Sequence, residues 1–158
     1  MTGENISRSE RTLGYLLRHA YEQLAERVYG GLAAAGFADI RRAHSSVFRH
    51  IAAAGSRVSD LAERAHMTKQ SMAYLVESLT ALGYLEVVPD PADGRAKLAR
   101  LTARGEAASR ALVDLSRKVE DEFAQLLPDG QMEALRSHLD ALTAQLEDEA
   151  GEGRSARP

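Results

Sequence analysis

Six stretches whose apolar residues recur every three or four positions, and one pair of short stretches around a Pro- and Gly-bearing tip, predict a mainly α chain with a single two-stranded hairpin. The 158 residues are 44% hydrophobic and 27% charged, an ordinary globular balance that argues against disorder throughout. There is no cysteine, which excludes disulfides, thiolate metal sites and thiol redox sensing. The N-terminal stretch MTGENISRSER is polar and leads into no uninterrupted apolar run. No signal peptide or membrane span is expected, and the expected compartment is the cytoplasm.

Residues 9–34 carry Leu13, Leu16, Leu17, Ala20, Leu24, Val28 and Leu32 at helical spacing, and Gly36 marks the end of this first helix. Residues 41–53 read as a second helix with Val47, Phe48 and Ile51 inward, closed by Gly55. VSDLAERA is a short third helix with serines nearby to cap it. After a break at His66-Met67, Thr68 is the expected N-cap of a fourth helix over 69–82, and Gly83 stops it at the position that favours a left-handed residue. The period then changes. Tyr84–Pro89 and Ala96–Thr102 read as two strands around the tip DPADGR.

A fifth helix over 103–127 places Ala108, Leu112, Leu115, Val119, Phe123 and Leu126 on one side, and Pro128-Asp129-Gly130 breaks it. The sixth shows Met132, Leu135, Leu139, Leu142 and Leu146 at alternating spacings of three and four, a coiled-coil-like seam. The tail GEGRSARP reads as frayed.

Two short helices joined by a tight turn and followed by a hairpin describe a winged helix-turn-helix. The expected organisation is an N-terminal dimerisation helix (1–36), a winged DNA-binding domain (37–104), C-terminal dimerisation helices (105–150) and a tail (151–158). The terminal helices carry more apolar stripe than the small central unit can cover. A second copy of the chain, related by a two-fold axis, is the simplest cover.

In a helix-turn-helix the second helix enters the major groove. The fourth helix turns Met72, Leu75, Val76, Leu79 and Leu82 to one face and Gln70, Ala73, Tyr74 and Glu77 to the other, with Lys69 and Ser71 flanking its start. Gln reads adenine through N6 and N7, Lys reaches guanine or phosphate, and a helix N-terminus favours phosphate. At the hairpin tip Arg95 is placed to reach the adjacent minor groove or backbone, with Lys97 and Arg100 behind it. The net charge of −3 does not oppose this, because residues 106–158 hold 12 acids against 6 bases while residues 1–56 hold 7 bases against 5 acids.

The stretch VSDLAERAHMTKQSMAYLVESLTALGYLEVVPDPADGRAKLARLTARG resembles the winged-helix segment of the MarR family of regulators. The matching features are Leu61-Ala62, Leu79 with Gly83-Tyr84, the tip Asp90-Pro91-x-Asp93-x-Arg95, and Leu101-Thr102 before Gly105. The resemblance implies a homodimer on a pseudo-palindromic operator, one recognition helix per protomer in successive major grooves. It implies that Arg95 is the wing residue, that Asp93 orients it by ion pairing, and that Thr68, Lys69, Gln70 and Ser71 contact bases and phosphates. Many members carry Thr-Arg where this chain has Ala73-Tyr74, so Tyr74 is left to make a hydroxyl–phosphate or thymine-methyl contact.

Members often respond to small aromatic acids. In this chain Tyr15, Arg18 and His19 of the first helix, with His44, Phe48 and Arg49 of the second, are the candidate lining, their cations suited to a carboxylate. The competing reading makes Tyr15 and Phe48 core, and His19 and His44 surface residues. The five histidines show no i, i+4 pair, so no metal site or cofactor is expected. No GxSxG, HExxH or Gly-rich phosphate loop is present, and no enzymatic activity is expected. The alternative from another class is a winged-helix protein-interaction module, which Glu77 and the acidic balance would suit. The basic wing, Arg95-x-Lys97-x-x-Arg100, discriminates against it.

Overall fold

The computed structural model describes residues 11–155, with side chains described through Glu149. The helices are α1 (Leu13–Leu32), α2 (Ser45–His50), α3 (Val58–Arg64), α4 (Lys69–Ala81), α5 (Ala103–Ala124) and α6 (Gln131–Ser155); a 3-10 turn, Arg42–His44, leads into α2. Strands β1 (Leu85–Asp90) and β2 (Asp93–Leu101) form an antiparallel hairpin. The chain divides into a larger unit ending at Arg117 and a smaller one starting at Lys118.

The six expected helices and the two-stranded wing are present, with shifted bounds. The second helix is shorter than expected, because residues 42–44 wind as a 3-10 turn and the chain leaves helical geometry at Ile51. The hairpin is tighter than expected. Pairing runs from Leu85↔Leu101 to Asp90↔Asp93, so much of the anticipated tip is strand. In the tail, α6 continues to Ser155, and residues 156–158 lie outside the described residues, as does the polar stretch 1–10.

The core of the larger unit is built where the apolar stripes converge. Val47 of α2, Leu61 of α3, Met72 and Leu79 of α4, and Tyr84 just beyond are fully buried, joined by Leu32, Leu85, Ala99 and Ala108. Each large side chain so buried removes enough apolar surface to contribute about 1.5–3 kcal/mol. Phe37 and Phe48 pack against the Tyr84 ring, both with centroids 6.2 Å away, Phe48 edge-on.

Two joints place α4. At its C-terminus the Tyr84 N–H reaches Leu79 O at 2.9 Å and the Gly83 N–H reaches Thr80 O at 3.0 Å, a Schellman closure. Gly83 adopts φ +79°, which is free for glycine alone. At the other end, α3 closes in the same pattern, Met67 N–H to Ala62 O and His66 N–H to Glu63 O, but with His66 at φ +52°. No serine caps α3. Its N-cap is Arg57, while the Ser56 hydroxyl accepts the Ala52 N–H and the Ser56 backbone bridges Ala99 of β2 in both directions at 2.9 Å.

The wing is closed onto α5 by Thr102 and Gly105. Thr102 donates its hydroxyl to Gly83 O at 2.7 Å and accepts the Gly105 N–H at 3.1 Å. A Cβ at residue 105 would run into the carbonyl oxygen of Tyr84, so only glycine lets α5 seat there.

Candidate nucleic-acid interface

Thr68 caps α4 as expected. Its Oγ1 accepts the Ser71 N–H at 3.1 Å and donates to Ser71 Oγ at 2.8 Å. The inward face, Met72, Leu75, Val76 and Leu79, is buried; Thr68, Lys69, Gln70, Ser71, Tyr74 and Glu77 are exposed, and Ala73 is half-buried. Tyr74 is 65% exposed, a large side chain left in water. A groove of about 480 Å³ runs beside it, lined by Ala43, Ser46, Met67, Gln70, Ser71, Tyr74 and Leu75. The first turn of α4 thus offers a cation, an amide, a hydroxyl and the positive end of the helix dipole together.

On the wing, Arg95 and Lys97 are exposed. Among the described residues neither these two nor Lys69 has a carboxylate partner. The other cations of residues 57–104 are engaged. Arg100, expected behind the tip, is instead taken by its cross-strand neighbour Glu86 at 2.7 Å, and Arg64 donates to His50 O at 3.1 Å. Arg104 meets Asp39 at 3.0 Å, and Arg57 meets Asp90.

Asp93 does not meet the Arg95 guanidinium. Its Oδ1 accepts the Arg95 backbone N–H at 3.1 Å, and its Oδ2 lies 3.8 Å from Arg57. Asp90, nearly buried, accepts the Ala92 N–H at 2.9 Å. That backbone bond first, and Arg57 next, hold its carboxyl below the usual range.

Two further groups seat α4. His44 is buried; its Nδ1 accepts the Arg41 N–H at 3.1 Å, which leaves the proton on Nε2 to donate to Ser78 Oγ of α4 at 3.2 Å. Burial first, then Arg41, pushes His44 below the ordinary imidazole value, with Asp39 opposing. Around Tyr84, Asp39 accepts the phenol hydrogen bond, and Arg104 lies 4.4 Å from the ring centroid while donating to Leu82 O at 2.8 Å. Arg104 therefore satisfies the C-terminal carbonyl of α4 and fastens it to α5 and to the loop after α1. Sequence spacing carries no signal for these long-range pairs.

The residues considered for a ligand pocket fall into different surroundings. Tyr15 and His19 stack on each other one turn apart on α1, beside exposed Arg18. Phe48 is committed to the core at Tyr84, and both ring nitrogens of buried His44 already have protein partners, Nδ1 the Arg41 N–H and Nε2 Ser78 Oγ. Arg49 reaches the Tyr21 hydroxyl at 3.4 Å, and half-buried Tyr29 beside them is raised by burial against a Ser45 hydrogen bond. Among the described residues no group of three or more His, Asp or Glu is placed to hold a metal ion. None of their helices is long and apolar enough to cross a membrane.

Residues 38–96 match the model of the MarR family. No curated protein sequence matches the chain. Among solved structures, wild-type MarR from E. coli in its apo form superimposes with a TM-score of 0.69 at 22% identity, over 83% of this chain and 96% of that one. The transcriptional repressor CouR, solved on a 23-mer DNA duplex, gives 0.69 at 21% identity, over 90% and 99%. Bordetella bronchiseptica BpsR, whose DNA binding is regulated by 6-hydroxynicotinic acid, gives 0.64 at 20% identity, over 89% and 96%.

Proposed function

From a MarR-family winged helix over residues 38–96, we propose that the chain is a transcriptional regulator that binds duplex DNA sequence-specifically, as a homodimer on a pseudo-palindromic operator. One observation carries this. Within residues 57–104, whose other Lys and Arg side chains are tied to carboxylates or a carbonyl, Lys69, Arg95 and Lys97 stay exposed and have no carboxylate partner among the described residues, at the start of the recognition helix and along the wing. Unpaired cations gain most from phosphate, because no ion pair has to be broken first. Gln70 and Tyr74 supply base readout from α4, Gln70 through adenine and Tyr74 through a thymine methyl or a phosphate. CouR, a repressor of the same fold, is itself bound to DNA, and repression by occupying the operator is the simplest mode.

The dimer is supported by apolar faces left in water. Leu13, Leu16, Leu17 and Tyr21 of α1 are exposed, and so are Leu135, Leu142 and Leu146 of α6. A face of this kind asks for a second copy. The experiment for the function is a mobility shift with DNA from upstream of the chain's own gene against unrelated DNA. Preferential retardation of the upstream fragment is expected. Equal binding to both, or to neither, would overturn the assignment and favour a protein-binding winged helix.

Release by a small aromatic acid is the second part of the proposal. The Arg49–Tyr21 contact with Tyr29 beside it joins α1 to α2 and offers a cation next to phenol rings. A ligand wedged there releases DNA only by favouring the arrangement that binds DNA poorly. Salicylate-like acids are expected to raise the melting temperature and weaken DNA binding, and Arg49→Ala to abolish both. A panel that moves neither quantity would remove the effector.

A further inference from the structure

Arg57 stands at the N-cap of α3, yet its side chain makes no capping bond there. It turns instead to the hairpin, 33 residues away in sequence. Its Nε and Nη2 donate to Oδ2 of Asp90 at 2.8 and 2.5 Å, and Nη2 lies 3.8 Å from Oδ2 of Asp93. The two carboxylates flank the turn, one at the end of β1 and one at the start of β2. Each also accepts a backbone N–H from the tip: Asp90 that of Ala92, Asp93 that of Arg95. The Asp90 side chain is only 8% exposed, which fixes its position.

A lone two-stranded hairpin holds its own shape poorly, and residues 91–95 are all exposed. The tip therefore has little apolar packing to aim it. We propose that Arg57 is the positioning residue of the wing: by clamping Asp90 and Asp93 to the start of α3, it fixes where the Arg95 backbone sits relative to the recognition helix. Arg57 is not itself a phosphate contact. Two carboxylates face its one positive charge, whereas Lys69, Arg95 and Lys97 have none among the described residues. The effect on DNA rests on the function proposed above; the brace within the free protein does not.

Two measurements test this. The first needs no DNA. Arg57→Ala is expected to speed hydrogen exchange of the Ala92 and Arg95 amides about fivefold or more, while α4 amides such as Met72 keep their protection. Arg57→Lys, with charge but no two-point geometry, should fall between. Unchanged exchange at the tip would overturn the brace, and so would a rise spread equally over α4.

The second is a double-mutant cycle with Arg57→Ala and Arg95→Ala on a bound duplex. Arg57→Ala should weaken binding about fivefold when Arg95 is present and less than about twofold when it is absent, the pattern of coupled residues. Equal weakening in both backgrounds would contradict action through the wing and mark Arg57 as touching the DNA directly. If the wild-type protein binds no duplex, the proposed function fails, and the exchange measurement alone still decides the brace.

Discussion

The winged unit and the terminal helices draw on similar apolar residues but dispose of them differently. In the winged unit Leu61, Met72 and Leu79 are fully buried within one chain. On α1 and α6 the same spacing leaves Leu13 at 63% and Leu146 at 55% exposed. Periodicity alone therefore says that a helix has an apolar face. It does not say whether the cover comes from the same chain. The winged unit is complete in one copy; in the proposed dimer, the terminal helices are completed by a partner.

The sharpest way to break this contrast is to truncate one leucine on each side. Leu61→Ala opens a cavity in a packed core and should cost about 2–5 kcal/mol, independent of protein concentration. Leu142→Ala removes a side chain that one chain leaves 43% exposed. If a second copy covers it, its cost will appear as a melting temperature that depends more steeply on concentration. Denaturant and thermal unfolding at two concentrations check both. A concentration-independent melting temperature for wild type and Leu142→Ala would mean that the terminal faces stay uncovered.

Gly105→Ala should follow, at about 1–3 kcal/mol, since its Cβ meets the Tyr84 backbone rather than a movable side chain. The same unfolding curves report it. A neutral result would show that α5 can shift off the hairpin without penalty.

Acid should loosen the winged unit before the terminal helices. Burial lowers both His44 and His50 from the ordinary imidazole value of 6.5, so the unfolded chain binds these protons more readily than the folded one. Their contribution is complete above about pH 6.5 and is lost as pH falls through the depressed folded values. Unfolding at pH 7.5 and 5.5 should show that drop, made smaller by His44→Gln. An identical drop in the variant would remove His44 as its source.

The smallest effect is expected at the turn between α3 and α4. His66 sits at φ +52°, where a side chain costs about 1–2 kcal/mol in helix-handedness terms. His66→Gly should return up to about 1 kcal/mol, the rest being offset by the freer unfolded chain. A drop in stability would show that the imidazole makes interactions worth more than the strain.

What the sequence discloses follows the range of the interactions. Thr68 as a cap, Gly83 as a stop and the inward face of α4 are local, set by residues three or four apart, and they are legible. The partners of Arg57, Arg100 and Arg104 lie 14 to 65 residues away. No periodicity carries such distances. Spacing alone therefore groups Arg100 with the free basic wing, and the family resemblance assigns Asp93 to the guanidinium of Arg95, whereas Asp93 accepts the Arg95 backbone N–H. The second helix is overdrawn for a related reason. Its apolar spacing continues through Ile51, but the backbone turns extended there as the chain heads for Ser56 and its bridge to β2.

The central claim is that α4 reads sequence while the wing supplies charge. The most direct measurement is a binding titration of wild type, Gln70→Ala and Arg95→Ala against an operator and its single-base-pair variants, at several salt concentrations. Arg95→Ala should weaken every duplex alike and reduce the salt slope by about one unit for each phosphate it no longer neutralises. Gln70→Ala should cost about 1–3 kcal/mol at one symmetry-related pair of positions and erase the preference there. Uniform weakening for both variants, with sequence preference untouched, would contradict base readout from α4.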